Sequence, residues 1–165
     1  MRVSKVITWI PTAAVEKLAS AAATKYPLET GGLILGYWAN SREAVITEVS
    51  LPGPTAGHFK YSYSPDYDHD IDVVSQTYEA SGGVQTYLGD WHTHPNTMRP
   101  YLSLKDRRAL HRIANSAEAR TPRPLGMVCA GSCAEWRTKV WVGEEAWTVF
   151  GWRFLVTVAT TLVGH

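Results

Sequence analysis

Between Gly89 and Leu110 the chain reads GDWHTHPNTMRPYLSLKDRRAL, and three of its side chains can bind a metal. His92 and His94 stand two apart, so on a β-strand both imidazoles share a face and can reach one ion. Asp106 lies four and seven residues before Leu110 and Ile113, which puts its carboxylate on the same helical face as those apolar side chains. A carboxylate aimed inward needs a partner, and a cation supplies one. Two imidazoles and one carboxylate leave a tetrahedral zinc one position open to water, as catalytic sites require. A hydrolase also needs a base for the water proton and a donor for the developing oxyanion. Glu29, just ahead of the apolar run GGLILG, is the candidate base. Ser103, one helical turn before Asp106, is the candidate donor.

Each residue also has an ordinary reading. Two histidines at a strand end can be structural, and Glu29 can be a solvated loop carboxylate. Ser103 with Asp106 fits a helix N-cap, a hydroxyl followed three residues later by an acid. Capping and donating to an oxyanion can alternate at Ser103, so its two readings are compatible.

The elements that must position these residues follow from pattern. VSKVITWI alternates as a strand, and Pro11 suits a first helical turn. Val15, Leu18, Ala19 and Ala22 then recur at helical spacing up to a stop near Pro27. GGLILGYW and AVITEVS flank the turn NSRE as a hairpin, and FKYSY alternates as a further strand. Ser64-Pro65-Asp66 reads as a helix start with Ser64 as cap; Tyr67, Ile71, Val74 and Tyr78 mark its inner face, and Gly82-Gly83 ends it. QTYLGDWH is the strand carrying the histidines. Ser103 opens a third helix with Leu110, Ile113 and Ala117 inward, and LGMVCA and RTKVWV are strands. Hairpins without steady βα alternation imply an α+β fold, a curved, mostly antiparallel sheet between helices.

At 165 residues the chain suits one domain with a real core, and sixteen basic against fifteen acidic residues give a formal charge of +1. That balance lacks the footprint of a nucleic-acid binder. Cys129 and Cys133 form neither a disulfide framework nor Cys-x-x-Cys, and read as small buried residues of a reducing compartment. The N-terminus has no apolar run of signal-peptide length, so the expected location is the cytoplasm. Ala146–Val163 carries one charge, Arg153, near its middle, where a membrane would disfavour it. Its Val/Thr richness suits strands packed on the domain or on a partner.

Glu29 within ETGGLILG, WHTHP at Trp91–Pro95 and SLKD at Ser103–Asp106 resemble the signature of the JAB/MPN metalloenzyme (JAMM) family. That signature is a glutamate before a Gly-Gly-apolar strand, then His-x-His-Pro, then Ser-x-x-Asp. The resemblance runs from about Val3 to Val142. It implies an α+β sandwich and zinc-dependent cleavage of isopeptide bonds to ubiquitin or ubiquitin-like proteins. By residue, it implies zinc (Zn2+) ligands at His92, His94 and Asp106, general acid/base at Glu29 and oxyanion stabilisation at Ser103. Residues 1–145 would form the metalloprotease domain and 146–165 an apolar extension. The short chain is most similar to stand-alone bacterial members, which accompany ubiquitin-like activating and conjugating enzymes, several of them in antiphage clusters. Eleven residues separate His94 from Asp106, one more than in many members, and the extra residue falls in the loop PNTMRPYL.

Other clusters have simpler readings. Asp68, Asp70 and Asp72 around His69 complement a helix dipole. His111, beside Arg107, Arg108 and Arg112, lies on a basic helix face that could meet an acidic partner. The chain lacks the His-x-Glu and Cys-x-x-Cys of zinc deaminases. Two alternatives to an isopeptidase stay open, a non-catalytic MPN-type scaffold and a metallopeptidase of small peptides or amino-acid conjugates.

Overall fold

The computed structural model describes residues 6–147 and 153–164. Its elements are β1 (Ile7–Ile10), α1 (Thr12–Lys25), β2 (Gly31–Asn40), β3 (Glu43–Val49), β4 (Gly57–Phe59), β5 (Ser62–Ser64), α2 (Tyr67–Ala80), β6 (Thr86–Pro95), α3 (Leu104–Ala114), β7 (Leu125–Ser132), β8 (Glu135–Trp147), β9 (Arg153–Ala159) and β10 (Thr161–Gly164). Eight strands form one sheet in the order β10-β1-β3-β2-β6-β7-β8-β9. The pairs β2/β3, β2/β6, β7/β8 and β8/β9 are antiparallel. The pairs β1/β10, β1/β3 and β6/β7 are parallel.

The sheet must curl. β9 and β10 lie at its opposite ends, yet only Thr160 separates them in sequence. Thr160 N–H donates to Val140 O at 2.9 Å, and Thr161 N–H to Val6 O at 2.9 Å, so one segment leaves the β8 edge and joins the β1 edge. β9 thereby covers the edge of β8, and β10 that of β1. The expected first-strand residues Val3–Lys5, and residues 148–152 of the apolar tail, lie outside the described residues.

Alternation along the strands sorts side chains to two faces. On one, Leu18 and Ala14 of α1 pack with Ile34, Ile46, Leu88, Trp91, Leu125, Met127, Val140 and Val142. On the other, Leu102 and Leu110 pack with Val128 and Trp141 beneath α3. Gly31 and Gly32 serve the two faces in turn. A Cβ on Gly31 would lie 2.7 Å from Cδ1 of the Tyr63 ring, and one on Gly32 would lie 2.8 Å from Trp91 Nε1. The glycine pair lets an aromatic ring lie against the strand from each side.

Five expectations need correction. FKYSY is not one strand: β4 and β5 form a separate two-stranded hairpin that turns at Lys60-Tyr61. The cap of α2 is Asp66, not Ser64; its carboxylate accepts from His69 N–H at 3.3 Å and Thr55 N–H at 3.0 Å. With Asp66 held inward, Asp70 one turn later is also buried, and Tyr67, Ile71 and Tyr78 face solvent. Helix α3 stops at Ala114, leaving Ala117 exposed beyond it, and Cys133 is exposed just past the end of β7 while Cys129 is buried.

Candidate metal centre

β6 supplies the histidines from its C-terminal end. Trp91 and Thr93 are buried, Trp91 against α1's layer, so His92 and His94 point to the opposite face, where α2 and α3 lie. Asp106 sits in the first turn of α3, and its carboxylate meets both rings. His92 Nε2 is 3.2 Å from Asp106 Oδ1, His94 Nε2 is 3.4 Å from Asp106 Oδ2, and the two Nε2 atoms are 3.0 Å apart. Among the described residues these three form the one group of such side chains whose donor atoms all lie within 4.8 Å.

The donor set fits a metal. Ligands about 2.0–2.1 Å from a tetrahedral ion stand roughly 3.3 Å from one another. The three separations above bracket that value. The two Nε2 atoms are themselves at hydrogen-bond distance, 3.0 Å, so a proton on each would crowd a gap that one cation fills. Burial by itself would raise the Asp106 carboxyl, but hydrogen bonding and charge from His92 and His94, with help from Ser103, hold it well below the usual carboxylate range.

α3 begins with a complete capping box. Ser103 N–H donates to Asp106 Oδ2 at 2.7 Å, and Asp106 N–H donates to Ser103 Oγ at 3.2 Å. Because Oγ accepts here, its own O–H remains able to donate elsewhere. Capping therefore leaves the hydroxyl hydrogen free, and a cap and a donor at Ser103 need not alternate. Trp141, which sequence reasoning missed, anchors the preceding loop: its Nε1–H donates to Pro100 O at 3.2 Å, and its ring packs on Leu102 and Tyr101. Lys139 Nζ lies 4.6 Å from the Trp141 ring centroid and 5.5 Å from that of Tyr101. RTKVWV signals a strand but not these loop contacts.

Glu29 enters the sheet beside the histidines. Gly31 is opposite His92, and Thr30 continues the ladder, its O accepting from Thr93 N–H at 2.8 Å and its N–H donating to Thr93 Oγ1 at 2.9 Å. Continuing that register brings Glu29 opposite His94, on the same face. Burial raises the Glu29 carboxyl above its ordinary range; His92, His94 and Lys105 pull against the rise, and Asp106 adds to it. The other clusters stay apart from this centre: Asp68 and Asp72 are exposed on α2, and His111 is exposed on α3.

Residues 11–149 match the family described as prokaryotic homologs of the JAB domain. The chain belongs to that family. This JAB-domain chain is 37% identical over 156 residues to a probable metalloprotease, y4qB, of Sinorhizobium fredii, covering 94% of this chain and 95% of the relative. It is 28% identical over 132 residues to a CD-NTase/cGAS isopeptidase of Escherichia coli, covering 79% and 77%. A second protein of that name, from Vibrio cholerae, is 32% identical over 93 residues, covering 55% and 57%. The solution structure of protein DSY2949 from Desulfitobacterium hafniense shares the fold, with a TM-score of 0.65 at 18% identity, covering 97% of this chain and 93% of that one. No helix among the described residues is long and apolar enough to cross a membrane.

Proposed function

We propose that this protein is a zinc-dependent peptidase of the isopeptidase type, hydrolysing the bond at the C-terminus of a ubiquitin-like protein. The single observation that carries the reading is the convergence of His92, His94 and Asp106 on one point, beside Glu29. Names of relatives, metalloprotease in one and isopeptidase in others, support the same class. Residues 1–145 would carry the catalytic unit and 146–165 an extension packed on it, supported by the pairing of β9 with β8 and of β10 with β1. Work in a bacterial ubiquitin-like conjugation or antiphage system, in the cytoplasm and beside activating and conjugating enzymes, fits this reading.

His92, His94 and Asp106 would hold the zinc, which supplies Lewis acidity and eases ionisation of water at neutral pH. The Glu29 carboxylate takes a proton from the attacking water and returns it to the leaving amine nitrogen. Ser103 Oγ–H donates to the carbonyl oxygen as charge develops there. No side-chain nucleophile is needed, so exposed Cys133 can be blocked without loss.

The test is cleavage of ubiquitin-like fusions carrying a C-terminal reporter, with Glu29→Gln as control. The variant should keep its fold and zinc and lose at least roughly 100-fold in kcat. Equal turnover by wild type and variant would contradict the reading. Cleavage of a short peptide with no folded body attached would point instead to a small-peptide metallopeptidase.

A further inference from the structure

We infer that His58, on the β4–β5 hairpin, is a positioning residue that holds Glu29 through its backbone. The inference rests on the reading of Glu29 as general base.

Glu29 precedes β2, so the sheet ladder does not fix its own peptide groups. The hairpin takes both. Glu29 N–H donates to Phe59 O at 2.8 Å, and Glu29 O lies 3.1 Å from His58 Nδ1. A carbonyl oxygen can only accept, so the second contact is a hydrogen bond when His58 carries a proton on Nδ1. Adjacent residues of one strand thus grip both sides of one residue.

The hairpin is itself docked. The His58 ring lies 5.7 Å from the Tyr63 ring, centroid to centroid. Tyr63 rests on Gly31, close enough that a Cβ there would meet Cδ1 at 2.7 Å and Cε1 at 2.8 Å. Gly31 in turn is opposite His92. A chain of contacts therefore runs from the strand bearing the metal ligands, through Gly31, Tyr63 and His58, to the backbone of the base. A carboxylate that must reach first a water and then a leaving amine depends on where its Cα is held. His58 fixes that position without touching substrate.

Two variants separate a positioning role from a packing role. His58→Phe keeps a ring against Tyr63 and removes the donor. His58→Asn loses the ring but offers Nδ2–H at the same distance from Cγ. In the zinc-loaded protein, imidazole ¹⁵N spectra should show His58 protonated on Nδ1. The Glu29 amide should exchange faster in His58→Phe and return toward wild type in His58→Asn. Removing one such hydrogen bond should lower kcat roughly three- to tenfold, with KM and zinc content unchanged, and His58→Asn should restore most of it. Protonation on Nε2 alone, or a His58→Phe variant with wild-type amide exchange and kcat, overturns the inference. If wild type cleaves nothing, the reading of Glu29 as base fails; the NMR and exchange results still decide whether His58 holds it.

Discussion

Ser103 and Asp106 exchange hydrogen bonds in both directions, backbone to side chain each way, at 2.7 and 3.2 Å. The pair that starts helix α3 also orients the carboxylate facing His92 and His94. Helix capping and the proposed metal ligation would therefore share one carboxylate, and stability and activity could be pulled apart there by choosing the substitution.

Ser103→Ala removes the cap and the hydroxyl together, and should cost about 1 kcal/mol of stability. Ser103→Gly should cost only about a few tenths, since glycine tolerates the N-cap. Both should lower kcat by roughly 100-fold if the hydroxyl serves the oxyanion. Denaturant melts and steady-state kinetics on the two variants check this. Activity that tracks stability across them would leave Ser103 a cap alone.

Gly31→Ala tests the seating of the hairpin. Its Cβ would fall 2.6 Å from Trp91 O as well as against Tyr63, a collision with backbone on one side and a half-buried ring on the other. Overpacking of this kind should destabilise by about 1–3 kcal/mol. Thermal unfolding measures that cost. Amide exchange at Glu29 should rise with it, because the hairpin that clamps Glu29 is displaced.

Asp70 gives the protein a pH dependence of its own. Burial pushes its carboxyl up to about 6, with Asp90 adding to the rise and His69 opposing it, and its Oδ1 has no hydrogen-bond partner among the described residues. The folded state thus keeps a proton that the unfolded chain releases near 3.8. Stability should fall as pH rises from about 4 to 6, and above that window the buried charge destabilises the fold. Asp70→Asn should raise stability, and with it the Tm, at pH 8, by at most about 3 kcal/mol, and change little at pH 4. Melting curves at the two pH values decide it.

The convergence of His92, His94 and Asp106 was legible in sequence because these residues sit where local rules are strong. A His-x-His pair at a strand end, a Ser-x-x-Asp cap and a glutamate before a glycine-paired apolar strand each carry a spacing that geometry enforces. The β2–β3 hairpin was legible for the same reason. Helix α2 was not: Tyr67, Ile71 and Tyr78 have the spacing of an inner face. The fold turns them outward because Asp66 is fixed inward by the amides of His69 and Thr55. That anchor reaches eleven residues back along the chain, where no periodicity can register it. His58 and Trp141 escaped for a related reason, since each acts through a carbonyl in a distant segment. The parallel neighbours β1/β3 and β6/β7, and the closure through Thr160, are also long-range pairings without a sequence signature.

The most direct test is the zinc content of purified, desalted protein, beside the His94→Ala and Asp106→Asn variants. One zinc per wild-type chain, with none in either variant, is the expected result. A wild-type protein that neither retains zinc nor takes it up on addition would contradict the metal centre. The JAB-domain fold would then serve as a scaffold.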